Sequence, residues 1–365
     1  MFKFLNLQPE IFGIDINDLS LRIAKLRNKR GGSVLVSYNE VGIKPDIIKE
    51  GLIQNEKALI DIIKLAYSTV KGEKLSTKYA AISLPEEKSF SRVIQVPKMT
   101  EEELKLAVPL EAENHIPLTI DKVYLDFQTI NSHKNNSSHL DLLINAIPKG
   151  IVDSYVSCFK GAGLIPCILE VEPQSIVRAL VKSGEDILST IFIDFGRTKT
   201  SFIIFSGDSI RFTSSISVSS EQLTAAISDK LGIGFEDAEE LKIKYGLTKN
   251  KDEGYRDIIK IMSPILNDLV DQIKKYIDFY YGHISHDYFS SDNKIEKIVL
   301  CGGGVNLKKL PDFISEKLRI PVEIGNPFTN IIMQESKNTP VISWEKTLSF
   351  TTAFGLALRG VSGEI

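Results

Sequence analysis

Two stretches of the sequence end an apolar run on an aspartate and then turn. Residues 191–200 read IFIDFGRTKT. This is the pattern of a buried strand that delivers Asp194 into a tight turn carrying Gly196, Arg197, Thr198 and Lys199, with Thr200 opening the next strand. Glycine lets a backbone come close to a ligand. Successive N–H groups in such a turn make an anion nest, and the carboxylate can hold Mg²⁺ through its waters. By itself the pattern also fits an ordinary hairpin. Residues 12–20 read FGIDINDLS and form a first copy, with Asp15 in the place of Asp194, Asn17 in that of Gly196, and Asp18 and Ser20 following. Asparagine tolerates left-handed backbone angles next best after glycine, so the same turn is expected. Asp18 adds a charge that repels a triphosphate unless a cation intervenes.

Three further patterns could complete such a site. In VLCGGGVN an apolar strand runs into Gly302, Gly303 and Gly304, followed by Asn306 and a helix. The bare backbone offers a nucleoside a surface beside a helix N-terminus; a flexible turn is the weaker reading. Glu239 and Lys242 lie three apart on one helical face. They could accept ribose hydroxyls and cover an adenine, or form a simple exposed ion pair. Glu172 ends a strand just before Pro173 opens a helix. Its carboxylate can orient an attacking water, or merely complement the helix dipole.

Hydrophobic periodicity supplies the elements that must position these residues. Strands are expected at Phe12–Ile16, Leu21–Leu26 and Val34–Val41, with Gly31 and Gly32 turning between the last two, then a helix over Asn55–Val70 and a strand at Tyr79–Leu84. A small α+β module follows, from Pro85 to Pro148. Its strands fall at Phe90–Val96, Asp121–Ile130 and Asp141–Ile147, and polar Ser132–Ser138 makes a hairpin tip. Thr100 with Glu103 forms a capping box for its helix. Helices are expected at Lys149–Ala162 and Pro173–Ser183, flanking a strand at Pro166–Val171. The opening pattern then recurs, with strands at Ile191–Asp194, Thr200–Phe205 and Ser209–Val218, followed by helices at Ser220–Leu231, Glu236–Tyr245 and Ile258–Ile284. A strand at Ile295–Cys301 and helices at Leu307–Leu318 and Trp344–Arg359 close the chain. Two meanders opening on FGIDIND and IFIDFGR imply an internal duplication.

Composition bounds the function. The chain has 365 residues, 43% hydrophobic and 25% charged, with a net charge of −3, which is an ordinary globular balance with no basic excess for nucleic acid. Cys158, Cys167 and Cys301 form no CxxC pair, so neither a disulfide framework nor a zinc site is expected, which suits a reducing cytoplasm. His283 and His286 read as solvated surface. The start lacks the regions of a signal peptide, and no run is long and apolar enough to span a membrane. Met1–Leu7 is either a packed or disordered terminus or a weak surface anchor.

Taken in order, the loop at Asp15, the Glu-Pro connection, the loop at Asp194, the Ala-Glu-x-x-Lys helix and the glycine triplet resemble the plan of the actin and sugar-kinase superfamily. Within it the chain resembles the PilM family of type IV pilus assembly proteins, through ISLPEEKSFSRVIQVPKM, EEELKLAVPLEAENHIPL, DKVYLDFQ, FIDFGRTKTSFIIF and TTAFGLALRG. The place of the inserted module separates PilM and FtsA from actin, MreB and kinases. The resemblance implies an α/β, actin-like duplicated (ribonuclease H-like) fold. Its subdomains would be 1A (1–84, 149–185 and 340–365), 1C (85–148), 2A (186–220 and 285–339) and 2B (221–284). It implies ATP and Mg²⁺ in a central cleft. Asp15, Asn17, Ser20, Asp194, Gly196, Arg197, Thr198, Lys199 and Thr200 would serve the phosphates, with Asp15 and Asp194 holding the metal through water. Glu239, Lys242, Gly302, Gly303, Gly304 and Asn306 would serve the nucleoside, and Glu172 would orient water.

The same resemblance implies a cytoplasmic scaffold at the inner membrane, joined to it only through partners. It would bind the N-terminal tail of a PilN-like protein in a groove between 1A and 1C, link to the assembly motor, and leave room for self-association. Phe90–Met99 and Glu111–Leu118 either line that groove or pack the module. The family's first loop is close to Asp-Ile-Gly-Ser-Ser-Ser. Asn17 and Asp18 depart from it, which points to a weak ATPase at most, with Arg197 and Lys199 offsetting the added charge. Two alternatives are a filament-forming FtsA-like protein and a small-molecule kinase. Against the first, RGVSGEI carries no amphipathic tail; against the second, no clear catalytic aspartate motif is seen.

Overall fold

The computed structural model describes residues 9–130, 139–184, 188–248, 253–283, 294–332 and 340–363. Met1–Leu7, the hairpin tip at Ser132–Ser138, His286 and the last two residues lie outside them, as does the side chain of His283.

The first half opens with β1 (Phe12–Ile16), β2 (Ser20–Lys29) and β3 (Gly32–Gly42), an antiparallel meander in which Asp15 faces Arg22. Gly31 and Gly32 make its turn at φ 106° and 142°, angles that side chains rarely adopt. A short pair, β4 (Ile48–Lys49) and β5 (Leu52–Ile53), precedes α1 (Glu56–Ser68), which the Asn55 side chain caps by accepting from Ala58 N. Next come β6 (Lys71–Gly72), on the edge of β3, and β7 (Tyr79–Leu84), parallel to β1.

The inserted module consists of β8 (Phe90–Pro97), α2 (Glu101–Ala112), β9 (Val123–Ile130) and β10 (His139–Pro148), with its own sheet in the order β8-β10-β9. The capping box at Thr100 forms: Thr100 N donates to Glu103 Oε2 at 2.7 Å and Glu103 N to Thr100 Oγ1 at 3.3 Å. Ile94, Val96 and Ile116 sit in the module's own core with Leu104, Val108 and Leu142. That favours the packing role for Phe90–Met99 and Glu111–Leu118. The chain returns through α3 (Lys149–Gly161), β11 (Ile165–Val171, parallel beside β7) and α4 (Glu172–Leu180).

The second half repeats the scheme with β12 (Thr190–Phe195), β13 (Thr200–Ser206) and β14 (Ser209–Ile216), then α5 (Ser220–Leu231), α6 (Phe235–Tyr245) and α7 (Glu253–His283). β15 (Lys297–Cys301) runs parallel to β12, and after α8 (Leu310–Leu318), β16 (Val322–Ile324) joins beyond it. The order β14-β13-β12-β15-β16 copies β3-β2-β1-β7-β11. The duplication read from two aspartate turns is thus a duplication of topology. β17 (Ile331–Ile332) pairs with β3, so the chain is back on the first sheet before residue 340, where the sequence placed its return. α9 (Trp344–Thr347) and α10 (Thr351–Ser362) complete it.

Among the boundaries that differ from expectation, three concern helices near the cleft. α4 stops at Leu180, because Val181 is extended. A 3₁₀ turn at Gly303–Asn306 delays α8 to Leu310. The helix expected over Trp344–Arg359 is broken by a 3₁₀ turn at Leu348–Phe350. β4, β5, β6, β16 and β17 are two or three residues long, too short for alternation to register.

α10 wedges between β1 and α4. A Cβ on Gly13 would lie 2.4 Å from Ala353 O, and one on Gly355 1.9 Å from Ser175 O. Backbone cannot yield at those distances. Gly355→Ala is therefore expected to lower unfolding free energy by about 3 kcal/mol, whereas Gly303→Ala, whose nearest neighbour would be Ser349 Cβ at 3.7 Å, should cost less than about 1 kcal/mol. Urea titration of both variants checks the contrast; equal losses would contradict it.

Candidate functional site

The duplicated strands β1 and β12 bring Asp15 and Asp194 to one cleft of about 230 Å³. Asn17, Glu172, Gly196, Arg197, Thr198, Lys199, Glu239 and the glycine triplet Gly302–Gly304 also line it. Ser20, Thr200, Lys242 and Asn306 do not. Arg22, Glu40, Ser349, Thr351 and Thr352, which sequence reading passed over, also stand in the wall, beside Ser220 and Leu348.

Asp15 is buried. Its Oδ1 accepts from Ser83 Oγ at 3.0 Å, and Arg22 Nη1 stands 3.6 Å from Oδ2. Burial pushes its carboxyl up, against the pull of Arg22, Ser83 and Lys199. Burial, and then the charge of Asp15, push Asp194 up to about 6. Two carboxyls both raised by burial, one of them further by the charge of the other, are a donor set that a cation would relieve. Among the described residues no cluster of three or more His, Cys, Asp or Glu could hold a metal alone. An ion here would draw its other ligands from water or phosphate.

The glycine triplet is fitted to Asp194. A Cβ on Gly302, at φ 88°, would meet Asp194 Oδ1 at 2.1 Å, and one on Gly304 would meet the Phe195 ring at 2.6 Å. Of the three, only Gly303 leaves room for a side-chain carbon, whose nearest neighbour would be Ser349 Cβ at an ordinary contact distance of 3.7 Å. Asn306 pins the loop: its Nδ2 donates to Gly303 O at 3.2 Å and to Glu345 O at 3.0 Å. Both amide protons are thereby used within the protein, which leaves Asn306 a supporting place rather than a contact with a nucleoside.

The two aspartate turns close alike. Asn17 N donates to Ser20 O at 3.0 Å, and Gly196 N donates to Lys199 O at 2.9 Å. Neither Asn17 nor Gly196 has a left-handed backbone, contrary to the expectation from their types. Asn17 is suited for another reason: its Oδ1 accepts from Leu19 N, Ser20 N and Ser20 Oγ, an Asx-type turn. Gly196 is suited because a Cβ would lie 2.8 Å from Lys199 O. Asp18 turns away from the cleft, accepting from Glu50 N at 2.7 Å and Gly51 N at 2.9 Å. Its charge is held by the β4–β5 turn, and it lines the adjoining cavity rather than this cleft. Ser20 is used in its own turn, and Thr200 Oγ1 donates to Val218 O at 2.6 Å.

The basic residues are also committed. Arg197 is exposed and pairs with Glu221 at 3.4 Å. Lys199 Nζ lies 2.7 Å from Glu172 Oε2 and also pairs with Glu87. Burial would depress this amine, but Glu172 and Glu87 outweigh it and raise it. Burial drives the Glu172 carboxyl up to about 8 even against Lys199. Lys242 was expected to touch a nucleoside. Instead it is buried and donates to Ser220 O, Ser220 Oγ and Thr224 Oγ1 at 3.1, 2.8 and 2.8 Å, with Glu239 Oε2 at 2.7 Å. An ammonium has three protons, so Lys242 locks α6 onto α5 and only Glu239 reaches the cleft. Of the residues passed over, Arg22 had a readable signal: it is the first basic residue on the strand that returns after Asp15. Glu87 had none.

A family model described as "Type IV pilus assembly protein PilM" matches residues 13–361. A solved PilM-PilN type IV pilus biogenesis complex is similar with TM-score 0.81 and 25% identity, over 97% of this chain and 99% of that one. MreB5 of Spiroplasma citri bound to ADP shares the fold at TM-score 0.55 and 13% identity, over 98% and 99% of the two chains. The division protein FtsA of Enterococcus hirae is 29% identical over 237 residues, 60% of this chain and 51% of FtsA. FtsA of Enterococcus faecalis is 28% identical over 209 residues, 51% and 46% of the two. The chain spans about half the length of these division proteins.

The raised Asp194 carboxyl fixes a pH signature. A carboxyl lifted from 3.8 to about 6 contributes stability that is fully present below 3.8 and lost as pH rises through about 6. The melting temperature of Asp194→Asn relative to the unsubstituted protein should therefore climb across that window. A difference that stays constant from about pH 4 to about pH 7 would contradict the assignment.

Proposed function

Because the chain belongs to the PilM family of type IV pilus assembly proteins, we propose that it is an ATP-binding scaffold at the cytoplasmic face of an inner membrane, within a pilus, secretion or competence machine. The carrying observation is that Asp15 and Asp194, equivalent ends of a duplicated meander, face one cleft. Asp15 and Asp194 would hold Mg²⁺ through water. The Asn17–Ser20 and Gly196–Lys199 turns would meet the phosphates, and Gly303 and Glu239 the nucleoside. The metal would supply charge neutralisation that this pair of carboxylates lacks. Glu172, with one oxygen held by Lys199, would orient the water, and slow hydrolysis at most is the expectation of this reading.

The partner in this reading is the N-terminal tail of a PilN-like protein. A groove of about 520 Å³ separates the inserted module from the first sheet, with Leu125 and Ile147 on one side and Val152, Val156 and Leu169 on the other. β9 and β11 are each the edge strand of their sheet, and such edges pair with extended peptides. Attachment to the membrane would pass through that partner. Among the described residues no helix is long and apolar enough to cross one. Linkage to the assembly motor and self-association belong to the same reading.

Calorimetric titration tests the reading. ATP with Mg²⁺ is expected to bind, and Asp15→Asn or Asp194→Asn to weaken it by about tenfold, roughly 1.4 kcal/mol. Unchanged affinity in both variants would remove the metal and phosphate assignment.

A further inference from the structure

Lys199 reaches out of the second aspartate turn and ends between two carboxylates just outside the groove, one on the chain that leads into the inserted module and one directly after β11. Glu87 lies in the short turn Glu86–Lys88, which leads straight into β8 and so into the module whose β9 and β10 form one wall. Glu172 directly follows Val171, the last residue of β11, which with α3 forms the other wall. One ammonium therefore fastens the bases of both walls where they meet the cleft: Lys199 and Glu172 line the cleft, and Glu87 lines the adjoining cavity of about 250 Å³ with them.

The fastened segment is braced on one side and unsatisfied on the other. A Cβ on Gly51 would lie 2.6 Å from Pro85 Cβ, and Tyr155 Oη on α3 donates to Gly51 O at 3.1 Å. Glu86 N reaches Glu172 Oε2 at 3.4 Å. Glu86 is 5% exposed, and its Oε2 has no hydrogen-bond partner. A buried carboxyl oxygen left so costs free energy. Glu86 also hydrogen-bonds Ser215 and Thr213 of β14, so the Lys199–Glu87 contact helps hold a segment that leaves one Glu86 oxygen unpaired, and loss of that contact would let residues 86–88 shift and that oxygen hydrate.

We propose that Lys199 couples the two sites: a phosphate in the cleft competes with Glu87 for the Lys199 ammonium, so filling the cleft unfastens the module-side wall and weakens the groove for an extended peptide. This rests on the scaffold reading above. The direction follows from preorganisation, since a groove with fastened walls has less freedom to lose on binding. Linkage requires the peptide to weaken ATP by the same factor.

The test uses the full chain, ATP with Mg²⁺, and a synthetic peptide copying the tail of the PilN-like protein of the same organism. Peptide affinity measured with saturating ATP should be about fivefold or more weaker than without it. In Glu87→Gln the ratio should fall toward one. A ratio of one in the unsubstituted protein, with both ligands binding, overturns the coupling and leaves the scaffold reading standing. A ratio undiminished in Glu87→Gln overturns the route through Lys199. Failure of either ligand to bind overturns the scaffold reading and the coupling with it. Amide hydrogen exchange of the unsubstituted protein gives a readout that needs no variant: ATP with Mg²⁺ should speed exchange in residues 86–97, and unchanged exchange there overturns the proposal.

Discussion

Two acidic strand ends held face to face are the constraint around which the molecule is arranged. Asp15 and Asp194 share one cleft, and each carboxyl is lifted by burial, Asp194 further by its neighbour. Like charges at short range in a poorly solvated site repel by several kcal/mol. The protein answers with alternating charge. Arg22 stands by Asp15, Glu40 holds Arg22 at 2.9 Å, and Lys346 holds Glu40 at 2.8 Å. Burial pushes Glu40 up, yet Arg22 and Lys346 outweigh it and draw its carboxyl below the usual range. On the other side Lys199 stands between Glu172 and Glu87. Every cation near the aspartates is thus shared with another carboxylate, and an added cation would have the strongest effect at the pair itself.

The steric side of the same constraint is carried by missing side chains. Gly302 and Gly304 let the end of β15 lie on Asp194 and Phe195, while Gly13 and Gly355 let α10 lie between β1 and α4. Each half is therefore packed closely around the strand that carries its own aspartate. Such contacts are rigid, and they fix where both aspartates point. The inserted module is joined to this body by β7 and α3 in the chain and, through space, by Glu87, by the Arg211–Asp141 pair at 3.5 Å, and by Ile130 and Leu143 packed with Phe192 and Phe205.

Sequence pattern carried what is local and repeated. Apolar runs ending in aspartate, the Thr100–Glu103 box, the glycine triplet and the order of the motifs led to the duplicated sheets and to most of the cleft wall. What depends on contacts across sequence was not legible. Lys242 reads as a nucleoside contact beside Glu239, but it is buried because α5 supplies Ser220 and Thr224. Asp18 reads as a charge beside a phosphate, but the β4–β5 turn claims it, and strands of two residues leave no period to detect. Glu87 is one acid in a charged stretch until the fold places Lys199 beside it. Residue type foretold that Asn17 and Gly196 make turns, while the reason, an Asx turn in one and a close carbonyl in the other, needed coordinates.

The central claim is that the aspartate pair is a metal-assisted nucleotide site. Anomalous diffraction from crystals grown with ATP and Mn²⁺ in place of Mg²⁺ tests it most directly. A peak in the cleft between Asp15 and Asp194, reaching them directly or through water, is the predicted result. Bound nucleotide with no peak there, or a peak at another carboxylate group, would contradict it.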